Sequence, residues 1–161
     1  MIIIVMGVSG SGKTTIGKLL ADSLGWEFSD ADSFHSLENV DKMRRGIPLI
    51  EADRMPWLQD LQAAIKHWLQ ENKNVVLACS ALKDSYRQFL VSDSVRTKLV
   101  YLKGSYELIQ IRLKERSNHY MSEKLLNSQF DTLEEPLDTI SMDVAQPPQI
   151  IVQNIRTALR L

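Results

Sequence analysis

A single cysteine, Cys79, stands in 161 residues, so no internal disulfide framework can form. No apolar run reaches the ~18–20 residues that a membrane span needs. Neither sign of charge is in excess: Lys plus Arg number 19 and Asp plus Glu 20, for a net charge of −1. A protein that neutralises a phosphate polymer carries a basic surplus, so nucleic acid is not the expected partner. The chain also lacks internal repeats, low-complexity tracts and Pro/Gly/Ser linkers. Its opening, Met1-Ile2-Ile3-Ile4-Val5-Met6, is apolar but short, with no basic leader and no small-residue cleavage site. It is expected to be a buried strand rather than a signal peptide. A reducing, cytoplasmic setting with no membrane partner is the expectation.

What is present suits one globular domain over residues 1–161: 44% hydrophobic and 24% charged residues, enough to bury a sizeable core. Short apolar strands alternate with helices. Strands are expected at Ile2–Met6, Trp26–Ser29, Val75–Cys79, Leu99–Leu102 and Ile140–Val144. Helices are expected at Lys13–Leu24, Glu38–Arg45, Met55–Gln70, Lys83–Val91, Tyr106–Arg116, Met121–Thr132 and Pro148–Leu159. Asp53 is a candidate cap for the Met55–Gln70 helix, with Pro56 in its first turn. Trp57, Trp68 and Tyr101 read as core. The predicted class is α/β, a parallel sheet covered by helices on both faces. Ligands in such folds bind beyond the carboxyl ends of the strands.

Three of the seven glycines fall in one place after the first strand. Gly7-Val8-Ser9-Gly10-Ser11-Gly12-Lys13-Thr14 fits G-x-x-x-x-G-K-[ST] in full, between an apolar strand and a helix. Glycines there let backbone N–H groups turn toward phosphate oxygens, and the helix start adds its positive dipole end. Lys13 can reach the β- and γ-phosphates, and the Thr14 hydroxyl can hold Mg²⁺. Gly7 through Thr14, with Thr15 next in the helix, are the candidate ATP-binding residues. A GTPase would need Asn-Lys-x-Asp, and Asn72-Lys73-Asn74-Val75 lacks the Asp. A motor-type ATPase would have an apolar strand ending in Asp, whereas Val75–Cys79 ends in Ser80. A small kinase acting on a small molecule is what remains.

Asp30-Ala31-Asp32 follows the second strand. Two such carboxylates can divide the work, one beside the metal, the other taking a proton from a hydroxyl. They can equally form a solvated loop or a helix cap. His35, Arg54 and Arg87 have both surface and ligand readings. Ser80, just past the third strand, is well placed for a ligand, and Cys79 reads as core. Arg112 and Arg116 share one helix face. That face is either solvated or part of a lid, over about residues 112–125, that brings cations to a transferring phosphoryl group and excludes water.

Four stretches together resemble the gluconate kinases of the small P-loop type. They are Gly7 to Thr14; Asp30-Ala31-Asp32 through His35, Asn39, Lys42-Met43, Gly46, Pro48-Leu49 and Asp53-Arg54-x-Pro56-Trp57-Leu58; Ala78 to Lys83 with Tyr86-Arg87; and Arg116-x-x-His119 through Leu125-Leu126-x-Ser128-Gln129-Phe130 to Leu133-Glu134-x-Pro136. The resemblance implies a P-loop NTPase fold with five parallel strands and a lid. It implies transfer of the ATP γ-phosphoryl group to the 6-hydroxyl of D-gluconate, Mg²⁺ dependence and a homodimer. Carried over, Lys13, Asp32, Arg112 and Arg116 are the catalytic candidates, with Thr14 and Asp30 beside the metal. Asp32, His35, Arg54, Ser80, Arg87 and Gln129 become candidates for the sugar acid. Three positions depart from the family pattern: Ala31 for Gly, Ser36 for Pro after His35, and Asn118 for Gly before His119. The alternatives are a kinase for another small hydroxy acid, L-idonate-like or shikimate-like, and a non-catalytic ATP-binding module. A shikimate-type enzyme is expected to carry a glycine triplet where Cys79-Ser80-Ala81 stands.

Overall fold

The computed structural model describes residues 1–115 and 123–161. The strands β1 (Ile2–Met6), β2 (Glu27–Asp30), β3 (Val75–Ala78), β4 (Thr97–Lys103) and β5 (Ile140–Asp143) form one sheet in the order β2-β3-β1-β4-β5. Every pairing is parallel. The helices are α1 (Lys13–Leu24), α2 (Leu37–Arg44), α3 (Glu51–Gln70), α4 (Asp84–Leu90), α5 (Tyr106–Glu115), α6 (Glu123–Thr132) and α7 (Pro148–Leu159), and a 3-10 turn spans Ala31–Phe34. Among the described residues no helix is long and apolar enough to cross a membrane.

β1 is central because its five side chains are all apolar and all buried. Successive strand residues point to opposite faces. Ile3 and Val5 therefore enter one core layer with Ile16 and Leu20 of α1, Ile109 of α5 and Ile151 and Ile155 of α7. Ile2, Ile4 and Met6 enter the other, with Leu58, Leu61 and Ile65 of α3 and Leu90 of α4. Fully burying a side chain of this size is worth roughly 1.5–3 kcal/mol, so β1 anchors both layers.

The expected ends of β1, α1 and α7 coincide with the observed ones. β2 begins one residue later, at Glu27. Gly25 ends α1 in the left-handed conformation (φ 68°) and turns Trp26 back, its N–H donating to the Ala21 carbonyl at 2.9 Å. The larger correction is α3, which starts at Glu51 rather than Met55. Asp53 lies inside its first turn, where the carboxylate accepts from the Ile50 N–H at 3.0 Å and from Lys42 Nζ at 2.8 Å. This anchoring starts the helix upstream and leaves Pro56 in its interior, at the loss of one backbone hydrogen bond. Trp57 (4% exposed) and Tyr101 (4%) are core as expected, and Trp68 is partly buried against the same layer.

Two departures from the family pattern are absorbed locally. Ser36 caps α2, its hydroxyl accepting from the Asn39 N–H at 3.1 Å. Ala31 is buried, outside the positive-φ positions of the chain, and its carbonyl accepts from Trp57 Nε1 at 2.8 Å. Asn118 lies outside the described residues.

Candidate active site

All five strands point their carboxyl ends the same way, and the loops that follow β1, β2 and β3 meet there. The loop after β1 carries Gly7 at φ 154°. A Cβ at Gly7 would stand 2.9 Å from the Leu102 carbonyl oxygen, so no larger residue fits. Gly12 closes the loop at φ 98° and leads into α1 with no side-chain cap and no acidic residue in the first turn. The opening N–H groups of a helix have no partner within it. Here the protein supplies none from a side chain, which suits an anion. Val8 and Ser11 of the loop are themselves buried, and Lys13 Nζ donates to the Val8 carbonyl at 3.0 Å.

Asp30 ends β2 and faces this loop. Its carboxylate accepts from Thr14 Oγ at 3.1 Å through one oxygen and from the Asp32 N–H at 2.9 Å through the other. Thr14 and Asp30 are thus in contact. Their donor set is oxygen only, which fits Mg²⁺, an ion that keeps several waters and takes its remaining ligands from one or two side chains and the substrate's phosphates. Among the described residues no group of three His, Cys, Asp or Glu side chains forms an all-protein cage.

Lys13, Asp32, His35, Arg54, Ser80 and Gln129 line a single open cavity of about 110 Å³. The structure therefore brings together, from five separate elements, six residues singled out in the sequence. Burial of the Asp32 carboxylate raises its pKa. The Lys13 ammonium opposes that rise, and the Asp30 charge adds to it. Burial pushes the His35 imidazole down to about 4, aided by the Arg54 guanidinium. Arg54 donates to the Tyr86 hydroxyl at 3.1 Å, and that hydroxyl donates to Glu51 at 2.7 Å. Gln129 of α6 reaches the phosphate loop, where its carbonyl oxygen accepts from the Ser9 N–H at 2.6 Å.

Arg87 does not join the cavity, which corrects the expectation that it meets the acid. It is 6% exposed, and its guanidinium donates to the carbonyls of Ala81 (2.8 Å), Leu82 (3.1 Å) and Glu134 (2.8 Å). Ala81 is held at φ 43°, a left-handed conformation that costs a non-glycine residue roughly 1–2 kcal/mol. Arg87 thus works from behind, fixing the loop that presents Ser80 and Leu82 to the cavity. Arg112 is also elsewhere. It lines a second cavity on the far side of the phosphate loop, with Gly10, Gly12, Thr15, Gln146 and Pro148, and donates to the Val144 carbonyl. Arg116 lies outside the described residues, as does the middle of the expected lid. Cys79 is core, its thiol pushed up to about 12 by burial.

Two cavity-wall aromatics escaped the sequence reading as ligand residues. Trp57 reads as core because it is buried, yet its ring also lines the cavity and stacks on His35. Tyr86 was visible only as part of a motif, and its partner role to Arg54 depends on a contact across 32 residues.

Comparison with known proteins gives the same direction. The family model described as Shikimate kinase matches residues 9–160. A probable gluconokinase of Xenopus tropicalis is 44% identical over 173 residues, covering 96% of this chain and 91% of that protein. A gluconokinase of Arabidopsis thaliana is 43% identical over 169 residues, covering 96% and 89%. The crystal structure of a gluconokinase from Sinorhizobium meliloti 1021 superposes with a TM-score of 0.86 at 42% identity, covering 98% of this chain and 90% of that one. With identity of this order along nearly the whole length, and within the reach of the shikimate kinase family model, the chain belongs to the gluconokinase family of small P-loop kinases.

Proposed function

We propose that this protein transfers the γ-phosphoryl group of ATP to the 6-hydroxyl of D-gluconate, giving 6-phospho-D-gluconate and ADP. The observation that carries the reading is the cavity shared by Lys13, Asp32 and Arg54. It sets a phosphate-loop cation, a carboxylate and a second cation around one open space.

In this reading the nucleotide phosphates lie on the loop Gly7–Gly12 and the opening N–H groups of α1, with Thr15 and Arg112 on the side of the second cavity. Lys13 follows the transferring group and neutralises charge that spreads over its oxygens. Asp32 orients the 6-hydroxyl in line with the γ-phosphorus and takes its proton on a carboxylate oxygen as the bond forms. Thr14 and Asp30 would hold Mg²⁺, which supplies further charge neutralisation at the phosphates. Arg54 is the cation for the acid's carboxylate, and His35, Ser80 and Gln129 are short polar partners for its hydroxyls. The lid over about residues 112–125, with Arg116, excludes water. The chain acts as one kinase domain over residues 1–161, as a homodimer, in the cytoplasm.

ADP release measured with D-gluconate, L-idonate, shikimate and nucleoside monophosphates tests the reading. D-Gluconate is expected to be strongly preferred. Equal or better turnover of shikimate would make this a shikimate-like kinase, and release with none of them would leave an ATP-binding module. The loop after β3 favours gluconate, because Ser80 and Ala81 present side chains where a shikimate kinase is expected to have glycines.

A further inference from the structure

His35 sits in the cavity wall between two neighbours that phosphoryl transfer does not use. Its ring lies flat on Trp57, with centroids 4.4 Å apart and planes 6° from parallel. Its Nδ1 is 3.3 Å from Nδ2 of Asn39, a residue of α2 that is 6% exposed. The same Asn39 NH₂ donates to the carbonyl oxygen of Asp53 at 2.8 Å. A backbone carbonyl only accepts, so the NH₂ end of the amide must face Asp53. Its second hydrogen is then the one directed at His35, and Nδ1 must accept it. A neutral imidazole that accepts at Nδ1 carries its proton at Nε2.

We infer that Asn39 is a positioning residue that locks His35 in the Nε2–H tautomer, so that His35 offers the sugar acid one uncharged N–H donor and leaves the acid's carboxylate to Arg54. The inference rests on the gluconate reading of the same cavity. The lock acts on charge as well as tautomer. An imidazolium would carry a hydrogen on Nδ1, facing the hydrogens of the Asn39 NH₂. Relief by an amide flip would set the Asn39 oxygen against the Asp53 carbonyl, two acceptors face to face. The charged groups around the ring favour the same state. Arg54 of α3 repels a positive imidazole. Asp53 of α3 is already engaged by Lys42 of α2 at 2.8 Å. Asp32 and Lys13 share the cavity with His35 and oppose each other in sign. A neutral single donor suits a hydroxyl or carboxylate oxygen by direction rather than by charge, and direction is what tells one stereoisomeric polyol from another.

The test is long-range ¹H–¹⁵N correlation of the histidine rings in the full-length protein, with the kinetics of His35→Gln, His35→Asn and Asn39→Leu. Wild-type His35 is expected as the single neutral Nε2–H form from pH 8 to pH 6. A glutamine amide can reach the Nε2 position and an asparagine amide only the Nδ1 position. His35→Gln should therefore keep a KM for gluconate within about threefold of wild type, and His35→Asn should raise it by tenfold or more. Asn39→Leu should mix the tautomers and raise KM for gluconate about tenfold, with KM for ATP unchanged. An Nδ1–H or charged His35 at pH 7 in the wild type would overturn the inference even if Asn39→Leu does not fold. So would His35→Asn outperforming His35→Gln. Absence of gluconate turnover by the wild type would instead remove the substrate reading, and the ring spectrum would still report the tautomer.

Discussion

The side-chain oxygen of Gln129 accepts from the backbone N–H of Ser9 at 2.6 Å, joining α6 to the phosphate loop across 120 residues of sequence. The residue expected to touch the sugar acid therefore also holds the loop that carries the phosphates. Gln129→Leu leaves the Ser9 N–H without this partner and removes a donor from the cavity. Losing such a hydrogen bond costs about 1–3 kcal/mol, so kcat/KM for gluconate should fall roughly 10- to 100-fold, with both kcat and KM affected. ATP affinity measured by calorimetry should fall as well, because the loop that carries the phosphates loses this tie. A defect confined to KM for ATP would separate Gln129 from the acid.

Arg87 supports the part of the wall formed by the loop after β3. Arg87→Ala leaves three backbone carbonyls without their donor, and we expect a loss of about 2–4 kcal/mol in urea unfolding. Arg87→Lys keeps the charge but not the fork that reaches all three, so it should recover less than half of the loss. Unfolding free energies within 1 kcal/mol of wild type for both variants would show that the loop at Ala81 holds itself.

These two residues mark where the sequence is legible and where it is not. β1, α1 and α7 were readable because their signals are local: an all-apolar run, a glycine-rich loop entering a helix, a proline at a helix start. The start of α3 was not, because Asp53 caps it from inside the first turn, on the Ile50 N–H, and is held there by Lys42 of another helix. In the candidate site, Lys13 stands out by the glycine-rich motif, and Asp30 and Asp32 by their place at the end of the second strand. Arg87 was misplaced because nothing in Tyr86-Arg87 says which of the two faces the cavity. The stacking of His35 on Trp57 and its contact with Asn39 are tertiary facts, although the i,i+4 spacing of His35 and Asn39 hints at the second.

Folding holds His35 neutral, with its pKa lowered from 6.5 to about 4. The unfolded chain binds this proton more readily, so the contribution to stability is complete above pH 6.5 and is lost as pH falls toward 4. The stability difference between wild type and His35→Gln should therefore shrink steadily over that window in denaturant titrations. A difference constant from pH 7 to pH 4.5 would mean that His35 titrates as an ordinary histidine.

Asp32 behaves in the opposite sense. Its raised pKa means that the proton acceptor is lost at a higher pH than for an ordinary carboxylate. kcat/KM for gluconate should fall on acidification through an apparent pKa above 3.8. Asp30→Asn removes a charge that raises this pKa, so the acid limb should move to lower pH in that variant at saturating Mg²⁺. A shift to higher pH would show that another group controls the limb.

The most direct measurement is single-turnover transfer from ATP to gluconate by Asp32→Asn and Asp30→Asn across a Mg²⁺ titration. An asparagine can orient the 6-hydroxyl through its carbonyl but cannot take the proton. Asp32→Asn should therefore lose roughly 10²–10⁴ in rate, the usual worth of a positioned base, with ATP affinity nearly intact and no recovery in excess Mg²⁺. Asp30→Asn should be rescued in large part by added Mg²⁺. Wild-type rates for Asp32→Asn, or rescue of Asp32→Asn but not of Asp30→Asn, would contradict Asp32 as the acceptor of the hydroxyl proton.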